Sequence, residues 1–367
     1  MAASTYTITS ESVCEGHPDK VADLIADTIL DALLAQDPAS RAAVEVLCKD
    51  NLVVLAGEVT TRARVDYTQL VREAVRQIGY TDPRESFSAD GLHILQVISA
   101  QAVDIARGIT DGPDQGAGDQ GTVVGYATAE TPELMPLPIL LAHRLARTLA
   151  DDRKARLVPW LRPDGKTQLS VRYEGGEPVA VTGVLVSAQH YEEASQEEIR
   201  SYVRDSLLPR ALGGWHHPGI PLQVNPTGRF VQGGPSADCG LTGRKIIVDS
   251  YGGVARHGGG AFSGKDPSKV DRSGAYFARY AARRAVQAGL ASRVELHLSY
   301  AIGVAEPTGL RADCFGTGDE REVEAFLREG FDFRPGAIIQ RLGLTRPIYR
   351  ATTNYGHFGK ADLPWEQ

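Results

Sequence analysis

Cysteine is scarce: Cys14, Cys48, Cys239 and Cys314 stand far apart in 367 residues, with no CxxC pair and no histidine at zinc-finger spacing. A disulfide framework and a finger-type metal site are thereby disfavoured, leaving free thiols in a reducing compartment. Long apolar runs are missing too. No stretch is suited to cross a bilayer, and the opening MAASTYTITSESV lacks the apolar core of a signal peptide. A basic excess is also absent, since the formal net charge is -7. This argues against duplex nucleic acid or an anionic membrane as the partner, while clustered cations can still serve a small anion. The expectation is a soluble cytoplasmic protein with small-molecule partners.

What is present is one plan met three times. A strand-like start at Tyr6 to Ile8 leads through ESVCEGHPDK into a helix with Val21, Leu24, Ile25, Ile29 and Leu33 on one stripe. Alternating runs at Ala43 to Leu47 and Leu52 to Val59, split by Lys49-Asp50-Asn51, read as a hairpin, and a helix follows from Asp66 with Gln69 as capping partner. The order returns from Leu134: a helix with Ile139, Leu140, His143 and Leu149, strands at Gln168 to Tyr173 and Val179 to Val186, then a Ser195/Glu198 cap. It returns again from Asp266, with a helix through Val270, Tyr276, Tyr280 and Val286, strands at Val294 to Val304 and Leu310 to Phe315, and a Thr317/Glu320 cap. Helix, hairpin, helix, three times over, predicts an α+β protein of three similar sheet-plus-helix layers.

The stretch from Gly258 to Arg272, GGGAFSGKDPSKVDR, invites a polyphosphate. Its glycines clear side chains from the backbone N–H groups, and Lys265 and Lys269 bracket a helix start announced by Asp266-Pro267. Gly259 to Lys265 nearly matches the P-loop pattern but puts Asp266 where a hydroxyl should reach magnesium. His17-Pro18-Asp19-Lys20-Val21 echoes Asp266-Pro267-Ser268-Lys269-Val270, a proline at a helix start with a lysine two residues on. Two such ends facing each other would hold a long anion.

ESVCEGHPDK at 11–20, GAGDQG at 116–121, DCGLTGRKIIVDSYGG at 238–253 and GGGAFSGKDPSKVDRS at 258–273 together closely resemble the S-adenosylmethionine synthetase (methionine adenosyltransferase) family. The similarity runs from about Ser10 to Trp365. It implies three domains in a pseudo-threefold arrangement, at 4–103, 115–232 and 233–365 in sequence, though spatial domains need not follow those boundaries. It also implies that ATP, L-methionine and water give S-adenosylmethionine, phosphate and pyrophosphate, the methionine sulfur attacking the ribose 5′-carbon.

By the same resemblance, His17 lies beside the oxygen that leaves carbon, and Lys166, Arg244, Lys245 and Lys265 contact the phosphates as the other catalytic residues. Asp164 in RPDGK, Arg229-Phe230 in NPTGRF, Asp238 and Ala261 match positions lining the nucleotide. Glu58, Gln101, Asp119, Asp238 and Lys269 match positions that hold the two charged ends of methionine. Asp19 and Asp271 match magnesium ligands and Glu45 a potassium ligand, implying two magnesium ions and one potassium ion per site. The 101–115 stretch matches a lid, and the family builds its site between subunits of a homodimer or homotetramer. The chain departs from the family at Lys49-Asp50-Asn51, and it stops at Gln367 where relatives often continue as a helical tail.

The chemistry agrees with the residue types. A thioether needs no deprotonation, so no nucleophile-activating triad is required, and none is visible. A departing triphosphate gathers charge, for which oriented cations are the remedy. Two other readings stay open on sequence: a P-loop-like NTPase or kinase, and a non-catalytic nucleotide-binding regulatory subunit that kept the fold.

Overall fold

The computed structural model describes residues 5–100 and 114–367. Helix α1 (Pro18–Gln36) starts at the expected proline, with His17 as N-cap. Val21, Leu24, Ile25, Ile29 and Leu33 are buried, as a 3.6-residue period requires. The opposite side is buried as well, with Asp19, Lys20, Asp23 and Asp27 all out of solvent, so α1 is an interior helix with charged residues inside the fold. Strands β1 (Thr5–Val13), β2 (Arg41–Lys49) and β3 (Leu52–Thr60) and helix α2 (Tyr67–Ile78) complete the first pass as read from the sequence. Asp66 caps α2 by accepting the Gln69 N–H at 3.0 Å.

Strand β4 (His93–Ser99) follows, then β5 (Gly121–Thr128), α3 (Leu137–Lys154), β6 (Leu161–Glu174), β7 (Glu177–His190), α4 (Gln196–Tyr202), α5 (Leu208–Leu212) and β8 (Leu222–Val224). The remainder holds β9 (Gly240–Leu241), α6 (Ile246–Asp249), α7 (Val270–Gln287), β10 (Arg293–Tyr300), β11 (Gly309–Asp313), α8 (Glu320–Gly330) and α9 (Pro335–Leu342). The described strands form three sheets, in orders β4-β3-β2-β9, β1-β6-β7-β8 and β11-β10-β5. Each is built around one of the hairpins legible in the sequence, so the α+β reading with three similar layers holds.

The first strand of each hairpin takes its second antiparallel neighbour from another layer. β1, which leads into α1, pairs with β6; β5, which precedes α3, pairs with β10; β9, which precedes α7, pairs with β2. Each layer therefore hands its leading strand to the next, and the third returns one to the first. This closed exchange is the topological form of a pseudo-threefold arrangement, and it joins the layers through backbone hydrogen bonds as well as packing. β4 and β8 extend two of the sheets in parallel, beside β3 and β7.

Two expected helix starts are displaced. α7 begins at Val270 with Lys269 as N-cap, not at Asp266-Pro267. The Asp266 carboxylate accepts the Ser268 N–H at 2.9 Å and its carbonyl the Lys269 N–H at 3.1 Å, so a turn stands before the helix. α8 is capped by Asp319, which accepts the Arg321 N–H at 2.8 Å. Thr317 is engaged elsewhere, donating to the Cys314 carbonyl at 2.8 Å and accepting the Arg293 N–H at 3.2 Å.

One apolar core joins α1, α2 and α7 with the first and third sheets, and a second lies between α3 and the sheet containing β6 and β7. At the second, His143 of α3 shares a hydrogen bond with Ser12 Oγ at 2.8 Å. Burial, aided by the charges of Lys360 and Lys20, pushes this imidazole from 6.5 down to about 3. Between those values the unfolded chain binds more protons than the folded one, so stability falls as pH drops through this window. Urea unfolding at about pH 7 and pH 5 should show a smaller acid loss for His143→Gln than for the unsubstituted chain. Equal losses would mean that His143 does not stay neutral in the fold.

Candidate active site

The start of α1 is stitched to two distant segments. Cys14 N–H donates to the Gly165 carbonyl of β6 at 2.9 Å, bringing His17 beside the 163–166 stretch. Asp19 Oδ1 accepts the Leu241 N–H at 3.1 Å, and its Oδ2 accepts from Lys245 Nζ at 2.5 Å. Burial opposes the charge of Asp19, yet the bonds from Lys245 and Leu241 N–H hold its carboxyl below the usual range. Arg244 stands 3.8 Å from the same carboxylate. His17, Asp19, Lys166, Arg244 and Lys245 thus gather around one helix end.

His17 is 3% exposed, and its Nδ1 accepts the Asp19 N–H at 3.2 Å. That bond assigns the ring proton to Nε2. Burial first, then the charges of Lys245 and Lys166, lower its pKa from 6.5 to about 3, overcoming the opposing Asp19. At neutral pH the ring is an uncharged N–H donor surrounded by cations. Asp164 lies on the same side, accepting the Gly234 N–H at 2.8 Å; burial raises its carboxyl to about 6, and its Oδ1 is buried without a partner. Gln189 binds both the Asp164 N–H and the Val231 carbonyl, so the Arg229-Phe230 turn borders this cluster, with Arg229 paired to Glu192 at the surface. Asp238 is exposed and accepts the Cys239 N–H at 2.8 Å. Glu45 accepts from the Thr242 hydroxyl and so belongs here as well.

A second cluster forms around Gly258 to Arg272. Lys265 Nζ donates to Asp271 Oδ2 at 2.7 Å. Gly260 lies against that carboxylate so closely that a Cβ would sit 2.3 Å from its carbon, which explains the need for glycine. The GAGDQG loop packs alongside: Gly118 N–H donates to the Ser268 carbonyl at 3.1 Å, placing exposed Asp119 near Lys269 and Asp271. Asp266 is fully buried, accepting from Ala42 N–H at 2.7 Å and Lys269 Nζ at 2.5 Å. Its charge is turned inward, away from any anion held by the glycine turn. Lys20 likewise does not point outward as the proline-lysine echo predicts; its buried ammonium binds Asp249 at 2.6 Å and Asp23 at 2.9 Å.

Both clusters hang on β2. Leu241 pairs with Leu47, while Lys265 bridges to Ala43, four residues along the strand and so roughly 13 Å away. Outward rows across this sheet read Leu95-Val54-Leu47-Leu241, Val97-Ala56-Glu45 and Ser99-Glu58-Ala43-Lys265. Glu58 thereby joins the second cluster across Ala43. Leu95 and Val97 are 53% and 58% exposed, leaving an apolar outer face with Glu45, Glu58 and Lys265 set in it. Gln101 and residues 101–113 of the expected lid lie outside the described residues.

Three family models match in succession: the S-adenosylmethionine synthetase N-terminal domain over residues 5–103, the central domain over 114–230 and the C-terminal domain over 232–367. The chain belongs to the S-adenosylmethionine synthetase family. Proteins named S-adenosylmethionine synthase are similar throughout. One from Desulforudis audaxviator is 54% identical, covering 99% of this chain and 96% of its own. Another from Sorangium cellulosum is 52% identical, covering 99% and 87%, and one from Thermus thermophilus is 54% identical, covering 98% and 95%.

Within an S-adenosylmethionine synthetase, neither the P-loop NTPase reading nor the non-catalytic subunit finds support. No described helix starts directly after Lys265 as a P-loop demands, since a turn intervenes before Val270. Among the described residues no helix is long and apolar enough to cross a membrane. Two residues near the synthetase site escape a reading from motifs alone: Thr242, which holds Glu45, and Asp249, which takes the charge of Lys20. Both stand in the DCGLTGRKIIVDSYGG string, but nothing in the sequence says which side chain each of them meets.

Proposed function

We propose that the chain forms S-adenosylmethionine from ATP and L-methionine, then hydrolyses the tripolyphosphate to phosphate and pyrophosphate. The full-length similarity to proteins named S-adenosylmethionine synthase carries this reading. The neutral, buried His17 among cations supports its chemistry. The methionine sulfur gives a lone pair to the ribose 5′-carbon, and the carbon–oxygen bond breaks with its electrons going to the triphosphate. His17 Nε2–H donates to the oxygen that departs. Lys166, Arg244 and Lys245 meet the phosphates from one cluster, and Lys265 from the other. One unit pair at ~4 Å contributes roughly 4 kcal/mol at an effective dielectric of about 20, so several cations offset much of the charge that builds up.

Asp164, with an unpartnered buried oxygen, takes a donor of the nucleoside, and Arg229, Phe230, Asp238 and Ala261 border the nucleotide. Glu58, Gln101, Asp119 and Asp238 take the methionine ammonium, and Lys269, already held by Asp266, its carboxylate. No group of three or more His, Cys, Asp or Glu side chains gathers among the described residues to hold a metal by itself. Each cluster instead offers one hard carboxylate beside the phosphate position, Asp19 or Asp271, which suits magnesium because that ion prefers one or two carboxylates with substrate phosphates. Two magnesium ions held there, and one potassium ion at Glu45 with Thr242, would neutralise phosphate charge.

The site is completed between two copies of the chain, as a homodimer or a pair of homodimers. The apolar face bearing Leu95 and Val97 runs between the clusters, and a twofold axis through it sets the His17 cluster of one protomer against the Lys265 cluster of its partner. On this reading the chain is a transferase that works in the cytoplasm. Mass spectrometry of products from ATP, methionine, magnesium and potassium tests the reaction. S-adenosylmethionine with phosphate and pyrophosphate is expected; ADP with a phosphorylated acceptor, or ATP binding without turnover, would overturn it.

A further inference from the structure

Helix α1 carries aspartates at 19, 23, 27 and 31, a spacing that sets all of them along one face. Like charges four residues apart disfavour a helix, and burying them disfavours the fold unless each is paired. Each accepts backbone N–H groups from a segment distant in sequence. Asp19 takes Leu241 at 3.1 Å, Asp23 takes Gly243 at 3.0 Å, Asp27 takes Gly264 at 2.9 Å, and Asp31 takes Tyr349 and Arg350, both at 2.9 Å.

Asp19 is already placed in the site, but Asp23 and Asp27 are not. Both are fully buried, so neither reaches substrate. Their charges are met from behind, Asp23 by Lys20 at 2.9 Å and Asp27 by a bidentate Arg272 at 2.7 and 2.6 Å. What they hold in front is the main chain next to the phosphate-facing cations. Gly243 immediately precedes Arg244 and Lys245, and Gly264 immediately precedes Lys265. At Lys265 the clamp is two-sided, because Arg272 Nη1 also donates to the Lys265 carbonyl at 3.1 Å. Gly264 is pinned further: its φ is +84°, and its carbonyl accepts the Val44 N–H at 3.0 Å.

We propose that Asp23 and Asp27 are positioning residues for adenosyl transfer, using α1 as a ruler that fixes the Arg244–Lys245 loop and the Lys265 turn relative to each other. This rests on the synthetase reading above. The helix transmits the constraint because both carboxylates project from one rigid element, one turn apart. A displacement near 1 Å in such a loop can cost about 100-fold in rate.

The test is a double-substitution cycle in the full-length chain. Asp23→Ala should lower kcat for S-adenosylmethionine formation about 100-fold and leave the KM for methionine nearly unchanged. In a Lys245→Ala background the same substitution should cost clearly less than about 100-fold, because one of the two cations it positions is gone. Ile25→Ala, on the opposite face of α1, controls for lost stability and should leave kcat unchanged wherever the protein stays folded. Should Asp23→Ala not fold, Asp23→Ser, too short to reach the Gly243 N–H, enters the same cycle with the same expected loss. Losses that multiply fully across the cycle, or a kcat for Ile25→Ala that falls as far as that for Asp23→Ala, would overturn the proposal. An unsubstituted chain that makes no S-adenosylmethionine would instead overturn the reading beneath it.

Discussion

Replacing His17 with alanine is expected to slow S-adenosylmethionine formation about 100- to 1000-fold while sparing hydrolysis of supplied tripolyphosphate. The asymmetry follows from where the ring sits. Its Nδ1 is committed to the Asp19 N–H, which leaves Nε2–H for the role proposed above at the oxygen that leaves carbon. Cleavage between phosphoryl groups draws instead on the cations, which the substitution leaves in place. Burial and the charges of Lys245 and Lys166 hold the ring near a pKa of about 3, so kcat should show no His17 titration between about pH 5 and pH 8. Single-turnover measurements of the two half-reactions decide it. Equal losses in both would mean that His17 organises the whole site instead of acting at the departing oxygen.

The second large effect concerns the outer face of the first sheet. Val97 is 58% exposed and shares its row with Ala56 and Glu45. Val97→Glu adds a charge to a face that already carries Glu45 and Glu58, and the proposed twofold contact would count it twice. Taking such unpaired charges out of water costs several kcal/mol per ion, enough to abolish association at ordinary enzyme concentrations. A folded monomer with at least about 100-fold less S-adenosylmethionine formation is expected, since each protomer then keeps two half-sites that never meet. Sedimentation and activity measured on the same sample test this. A monomer as active as the unsubstituted chain would place the whole site within one protomer.

Much of this arrangement is legible in the sequence because it is local. α1 announces itself through Pro18 and a stripe of apolar residues, and β2 and β3 through alternation around Asp50-Asn51. The start of α7 is not legible, because Asp266-Pro267 signals a helix while the Asp266 side chain captures the Ser268 and Ala42 N–H groups and imposes a turn first. The exchange of β1, β5 and β9 among the layers escapes too: β9 is two residues long, and a strand's pattern does not state its partner. In the site, motif strings carry residue identities but not orientation. Lys20 stands in the same string as His17 and Asp19, yet its ammonium is buried against Asp23 and Asp249. The division of the cations into two clusters along β2 depends on pairings between segments some two hundred residues apart, such as Ala43 with Lys265.

Lys245 and Lys265 stand in different clusters of one chain, yet the proposed reaction needs both on one triphosphate. Lys245→Ala and Lys265→Ala should each be nearly inactive alone. When they are co-expressed and assemble at random, half of the dimers are mixed, and each mixed dimer holds one site with both lysines. The mixture should then recover about a quarter of the unsubstituted activity. A mixture no more active than the average of the two separate variants would contradict a site shared between protomers.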